Sequence, residues 1–260
     1  MNQNNVDQKP PLPNAIAKRF SAAAKSYDAI SNAQWRTGLA CLKALGPAPY
    51  VLDLGCGSGK LSAQLARQLN TRQLDLLDLS PAMLSQARQR LERELPEIQL
   101  STYCQDIQTF SANNRANKKA YDLVFSHFAF QWLCSSEALF NALSLAKAQA
   151  KQQLSISFPI DGSLSALDHA LADQGIKHLL KHRLPDKRMV LEHANNLGLN
   201  HQFHHYQSNE MPPLQALRVI KQMGASAKTQ PQQHALFALR HSLKPVRLDW
   251  QVIQLTWPAL

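Results

Sequence analysis

Glycine is scarce in this chain. Nine occur in 260 residues, and three of them, Gly55, Gly57 and Gly59, fall within five positions. Such a cluster marks a place where the backbone turns sharply or lies close against a ligand. Cysteine is scarcer still. Cys41, Cys56, Cys104 and Cys134 are far apart with no Cys-x-x-Cys pair, which argues against a disulfide framework or a structural zinc centre and points to the cytoplasm. No apolar run approaches the roughly 18 residues that span a bilayer. The start, MNQNNVDQKPPLPNAIAKRF, lacks the apolar stretch of a secretory signal. An integral membrane protein and a secreted protein are both disfavoured. Acids are few beside bases, 18 against 28, for a net charge of +10. The surplus divides evenly between residues 1–150 and 151–260, so there is no basic tail. It is compatible with nucleic acid, an acidic protein or an anionic small molecule.

What is present reads as one α/β domain. Hydrophobic residues make up 45% and charged residues 18%, a globular balance. Residues 1–13 are polar and proline-rich and read as a disordered tail. Ile16, Phe20, Ala24, Tyr27 and Ile30, then Trp35, Leu39, Leu42 and Leu45, recur at helical spacing and predict helix over 14–45. Short apolar strands then alternate with amphipathic helices. Strands are expected at 50–54, 74–79, 99–103, 121–126 and 154–158, and helices at 60–69, from Pro81 to Leu91, and at 138–148. Further on, helices are expected at 164–180, 189–197 and 214–223, and strands at 203–207 and 248–257. The expected organisation is N-terminal cap helices over 14–47, a ligand-binding core over 48–160, and lid helices with the remaining strands over 161–260.

The strongest chemical signal is Val51-Leu52-Asp53-Leu54-Gly55-Cys56-Gly57-Ser58-Gly59. A strand runs into a glycine turn and then a helix, whose free N–H groups and dipole suit a polar ligand. The spacing G-x-G-x-G is neither a dinucleotide fingerprint nor a P-loop. A second acid, Asp78, ends the next strand, where a carboxylate accepts hydrogen bonds from a ribose diol. A third, Asp106, follows the third strand, at the edge where an adenine amino group would lie. Three acids after three successive strands predict a nucleoside-containing cofactor at the carboxyl edge of the sheet. Cys56, inside the turn, reads as a small residue that fits. His193, His201, His204 and His205 have no acid or cysteine at ligand spacing, so no metal site is expected.

These motifs resemble the S-adenosylmethionine site of class I methyltransferases over roughly residues 48–160. The resemblance implies a doubly wound, seven-stranded, mostly parallel sheet with an antiparallel last strand. It places the methionine end of the cofactor at Asp53, Gly55, Cys56, Gly57 and Gly59, the ribose at Asp78, and adenine among Leu79, Met83, Asp106 and Ile107. Ser126 is also expected at the cofactor.

A narrower resemblance is to the malonyl-[acyl-carrier-protein] O-methyltransferases of biotin synthesis. It rests on Ile16-Ala17-Lys18-Arg19-Phe20 with Ala24, Tyr27 and Gln34, and on Asp78-Leu79-Ser80-Pro81-Ala82-Met83-Leu84. It also rests on Tyr121-Asp122-Leu123-Val124-Phe125-Ser126 leading to Ala129-Phe130-Gln131-Trp132, on Gly162-Ser163-Leu164, on Leu217-Arg218 and on Asp249-Trp250-Gln251. It implies methylation of the free carboxylate of a malonyl thioester, carried on acyl carrier protein or coenzyme A. Tyr27, Gln131, Trp132, Arg218 and Lys221 would then be catalytic residues, with Tyr27 and Gln34 over the methionine end. Arg183, Arg188, Arg218 and Lys221 are the candidate cations for the acceptor carboxylate.

The basic stretch Lys177 to Arg188 reads either as a dock for an acidic carrier protein or as a solvated helix face. Partners in nucleic acid or membrane are not expected. Residues 145–153 are rich in Ala, Lys and Gln and lack the glycine turn that precedes the fifth strand in many relatives. Two other readings stay open. One is another small-molecule O- or C-methyltransferase, for which His127 would be the base. The other is a methyltransferase-like partner protein without catalysis.

Overall fold

The computed structural model describes residues 13–110, 121–133, 135–173, 184–222 and 244–258. Seven strands form one sheet: β1 (Tyr50–Leu54), β2 (Gln73–Asp78), β3 (Gln99–Cys104), β4 (Tyr121–His127), β5 (Ala150–Pro159), β6 (Asn200–Gln207) and β7 (Asp249–Trp257). Their order is β3-β2-β1-β4-β5-β7-β6. β7 alone runs antiparallel to its neighbours, pairing with both β5 and β6. The sheet is the expected mostly parallel one, with its switch point between β1 and β4, the place where such sheets bind ligands.

Strand alternation sorts the two faces. Leu52 and Leu54, Val124, Leu154, Ile156 and Phe158, and Ile253 and Leu255 turn to one face. There they meet α5 (Ser136–Gln149) and α7 (Lys187–Asn196) through Leu139, Leu143, Val190 and Ala194. Val51, Leu74, Leu76, Leu123 and Phe125 turn to the other, beneath α3 (Lys60–Gln68) and α4 (Pro81–Glu94) through Leu65, Leu84 and Leu91. The helix expected over 14–45 is two, α1 (Pro13–Ile30) and α2 (Asn32–Leu42). The break at Ser31 keeps the hydrogen bonds Ser31 N to Tyr27 O and Trp35 N to Ser31 O, so helical periodicity runs through it and could not reveal it. A third cluster joins α6 (Ser165–Ala172), α8 (Pro213–Gln222) and β7 through Leu167, Leu171, Ala216, Ile220 and Trp250.

Three expectations change here. α7 is not part of a lid: Val190 and Ala194 are fully buried in the sheet's own core. α2 is likewise part of the body, with Cys41 and Leu42 fully buried. The helix expected from Leu164 starts at Ser165, and Leu164 itself has φ +64. The disordered tail over residues 1–13 lies outside the described residues except for Pro13. Most of the basic stretch from Lys177 also lies outside them.

The glycine-free segment before β5 is resolved without a loop. α5 ends at Gln149 and β5 begins at Ala150. The pairing steps from Tyr121↔Ala150 to Leu123↔Gln153, so β5 carries one extra residue, a bulge. Glutamines do the work of a turn: Gln153 bonds the backbone of Gly46, and Gln152 Nε2 donates to Asp122 Oδ1.

Candidate active site

The carboxyl ends of β1, β2 and β4 open into a cavity of about 390 Å³. Asp53 is the penultimate residue of β1. Its Oδ2 accepts from Ser62 Oγ at 2.6 Å on α3. Asp78 ends β2, and its two oxygens accept from Gly57 N at 2.9 Å and Ser80 N at 2.8 Å. The ribose-binding acid of the sequence reading thus also ties the glycine turn to the start of α4. Burial pushes the Asp53 carboxyl up to about 7, against the pull of the Ser62 bond, and the Asp78 charge adds to the rise. Asp78 is raised too, first by burial, against its backbone N–H donors. Among the described residues no basic side chain forms an ion pair with either. Both carboxyls therefore sit in the cavity without a counter-ion of their own, and the burial that raises them leaves their ionised forms ready to gain from a cationic ligand.

Glycine is required at the turn. At Gly55, with φ +79, an added Cβ would stand 2.3 Å from Ala129 Cβ, just beyond β4. At Gly59 it would stand 2.8 Å from the backbone of Ala87 on α4. Gly57, by contrast, faces the Tyr27 ring at ordinary contact distance.

α1 roofs this cavity. Ile16, Phe20, Tyr27 and Asp28 all line it. Phe20 meets Trp132 edge-on at 5.5 Å and Tyr27 at 6.2 Å. Asp28 latches the helix down by pairing with Arg90 of α4 and accepting from Ser58 Oγ in the glycine turn. Ser21 and Ser80 share a 2.8 Å hydrogen bond beside it. Sequence reading missed this latch, although Asp28 is the only acid in α1.

A second cavity of about 390 Å³ adjoins the first. Phe20, Tyr27, Gln34, Phe128 and Trp132 line both. Its farther wall comes from Gly162, Ser163, Leu164, Asp168, Ile220 and Trp250. Phe128 has φ +57 and Leu164 φ +64. Two large side chains in the left-handed region on one cavity wall are strained, a feature that gathers at ligand sites.

Of the expected residues, Asp53, Gly55, Cys56, Gly57, Asp78, Leu79, Asp106 and Ile107 line the first cavity, with Tyr27 and Trp132. Gln131 lines the second alone, its Nε2 donating to Phe128 O at 2.7 Å. Five others are not on either wall. Gly59 packs α3 against α4. Met83 is 1% exposed in the core. Ser126 faces away, its Oγ donating to Leu54 O at 2.6 Å. Arg218 is exposed, as is Arg188. Arg183 and the side chain of Lys221 lie outside the described residues. No metal-holding group of His, Cys, Asp and Glu occurs among the described residues, and no described helix is long and apolar enough to cross a membrane.

His127 stands at the cavity, as expected, but its surroundings do not suit a base. Its Nε2 lies 2.8 Å from the Gln34 carbonyl, which only accepts, so Nε2 carries the proton. Nδ1 then accepts from Ser157 Oγ at 2.6 Å. Burial pushes the imidazole down to about 3, against the Gln34 bond. It is a neutral strut between β4, β5 and α2.

Known proteins agree with this architecture. Residues 51–153 match the family model "Methyltransferase domain". The chain is 32% identical over 165 residues to malonyl-[acyl-carrier protein] O-methyltransferase 1 of Ilyobacter polytropus, covering 60% of this chain and 59% of that protein. It is 30% identical over 144 residues to the malonyl-[acyl-carrier protein] O-methyltransferase of Anoxybacillus flavithermus, covering 55% and 52%. The chain thus spans between half and two thirds of those relatives' length. Among solved structures, mycolic acid cyclopropane synthase CmaA1, complexed with SAH and CTAB, superimposes with a TM-score of 0.60 at 14% identity, covering 96% of this chain and 99% of that one. Residues 51–153 thus match a methyltransferase domain, and the chain as a whole shares the fold of that solved structure.

Proposed function

We propose that this protein transfers the methyl group of S-adenosylmethionine to the free carboxylate of a malonyl thioester, on acyl carrier protein or coenzyme A, giving the methyl ester that primes biotin synthesis. The observation that carries this is the pair of adjoining cavities with a shared aromatic wall, the first holding the acids and glycine turn at the strand ends, the second reaching it past Phe20, Tyr27 and Trp132. Asp53, Gly55 and Gly57 would hold the methionine end, Asp78 the ribose, and Asp106, Ile107 and Leu79 the adenine. The residues present fit that group: buried carboxylates without counter-ions suit a cationic ligand, and the glycine turn leaves room for its backbone contacts. When bound, S-adenosylmethionine supplies an electrophilic methyl on a sulfonium.

The protein's own part is orientation and exclusion of water. Phe20, Tyr27 and Trp132 close the roof and line the passage to the second cavity. Burial holds the Tyr27 phenol protonated, well above its ordinary range, with the Asp78 and Asp28 charges adding to the rise. The site has no base in His127, whose two nitrogens are both engaged. A carboxylate acceptor needs none, since an ordinary carboxyl titrates at about pH 4 and is ionised at neutral pH. That same feature counts against the hydroxyl- and carbon-methylating alternatives. The acidic first cavity also suits a positively charged methyl donor, leaving the net charge of +10 for the outer surface. An acidic carrier protein is a partner that surface would attract.

The test is direct. Purified protein, methyl-labelled S-adenosylmethionine and malonyl thioester should yield a base-labile labelled methyl ester, with the succinyl thioester as the poorer acceptor. Cofactor binding without any such ester would sink the malonyl reading.

A further inference from the structure

Gln34, expected from the sequence to lie with Tyr27 over the methionine end, is a polar residue of the shared wall to which the reaction scheme gives no chemistry. It lines both cavities. Its Oε1 is buried and has no hydrogen-bond partner among the described residues. A buried amide oxygen left alone calls for a partner supplied from elsewhere. The backbone around it is unusually well fixed. The Gln34 carbonyl accepts from His127 Nε2 at 2.8 Å, and Thr37 Oγ1, which bonds Ala33 O at 2.6 Å, lies 3.2 Å from the same nitrogen. His127 is pinned in turn by Ser157 on β5. Three elements thus converge to fix the backbone that carries this amide at the boundary of two cavities.

An amide has an acceptor end and a donor end. The two ligands of the proposed reaction differ in the same way. The methyl donor carries an ammonium group, which can only donate. The acceptor carries a carboxylate, which can only accept. We propose that the Gln34 amide positions both ligands at once, its carbonyl oxygen accepting from the ammonium of the methyl donor and its –NH2 donating to the acceptor carboxylate. This rests on the reading of donor and acceptor given above. A neutral group is well suited to the second task. It orients the carboxylate without the ground-state stabilisation of a full counter-charge, which methylation would then have to undo.

Two variants separate the two ends. Gln34→Glu keeps an acceptor for the ammonium and sets a negative charge against the carboxylate. Gln34→Met removes both ends at similar length. By calorimetry with S-adenosylhomocysteine, which keeps the ammonium, Gln34→Glu should bind within about threefold of wild type and Gln34→Met about tenfold more weakly. In turnover with malonyl thioester, both should raise KM at least tenfold, Gln34→Glu the more, with kcat less affected. Thermal unfolding of each variant serves as the control for folding. Wild-type affinity of Gln34→Met for both ligands overturns the proposal, and so does equal weakening of S-adenosylhomocysteine by both variants. Should wild-type protein make no methyl ester from malonyl thioester, the function reading falls and the acceptor half of this proposal with it. The calorimetry still decides the cofactor half.

Discussion

The two cavities are of similar volume and are made differently. The first is built by backbone. Its floor is the ends of β1, β2 and β4, its acids sit at or just beyond strand ends, and its glycines are required by contacts such as Gly55 against Ala129. The second is built by side chains from segments spread from Phe20 to Trp250. Backbone hydrogen-bonded into a parallel sheet is stiff, whereas helices packed around its edge shift with each side chain they carry. The donor site is thus set by the fold, and acceptor choice is left to elements that change without disturbing it.

The largest expected break of that contrast is at the glycines. Gly55→Ala should abolish S-adenosylhomocysteine binding, because it combines a positive φ with a 2.3 Å clash. Gly162→Ala also has positive φ, but its nearest atom is Gln251 Nε2 at 3.1 Å, the end of a side chain that can move. It should lower stability by about 1–2 kcal/mol and leave cofactor affinity unchanged. Calorimetry and thermal unfolding read both. Next in size are the acids. Asp78→Asn should weaken cofactor binding by about 10- to 100-fold, the worth of charged hydrogen bonds. Asp168→Asn, on the second wall, should not alter it.

A pH effect should follow, confined to the first cavity. A cationic ligand selects the ionised form of Asp53, whose pKa in the free protein is about 7. Affinity for S-adenosylmethionine should therefore fall by about tenfold from pH 8 to pH 6. The free protein has the opposite slope. The raised carboxyl favours folding below its unfolded value, and that contribution is lost as pH rises through about 7. Titration calorimetry against pH should show the first trend, and denaturant unfolding the second. A pH-independent affinity would show that Asp53 does not meet the charge. The smallest effect belongs to the latch. Asp28→Asn should cost well under 1 kcal/mol of global stability, since Asp28 and Arg90 are both partly exposed. It should instead speed proteolysis within residues 13–30.

Sequence legibility follows the same division. Asp53, Asp78, Asp106 and the glycine turn could be read because one short segment after each strand determines where each lies. Met83 and Ser126 are near the site in sequence but turn the wrong way. Met83 lies on the core side of α4, and Ser126 on the face of β4 opposite His127. Only the pleat and the helix phase reveal that. The second wall was beyond reach, because Phe128, Leu164 and Trp250 meet only through the order β4-β5-β7, which no local pattern encodes. His127 could be located but not its role, since its two hydrogen-bond partners come from α2 and β5, 93 and 30 positions away.

The bulge in β5 has a consequence for chain length. With no loop between α5 and β5, the bulge is where the strand takes up one extra residue, and the pairing that follows, from Leu123↔Gln153 onward, sets which way Leu154, Ile156 and Phe158 point. Deleting either Lys151 or Gln152 would remove the bulge and leave a regular ladder, with Ala150 and Gln153 still opposite Tyr121 and Leu123. Every later side chain of β5 would keep its face, whereas a deletion beyond Gln153 would turn the rest of the strand over and take Ser157 from His127. The stretch from Ala150 to Gln153 is thus a place where this chain can change length by one residue, while the strand beyond it cannot.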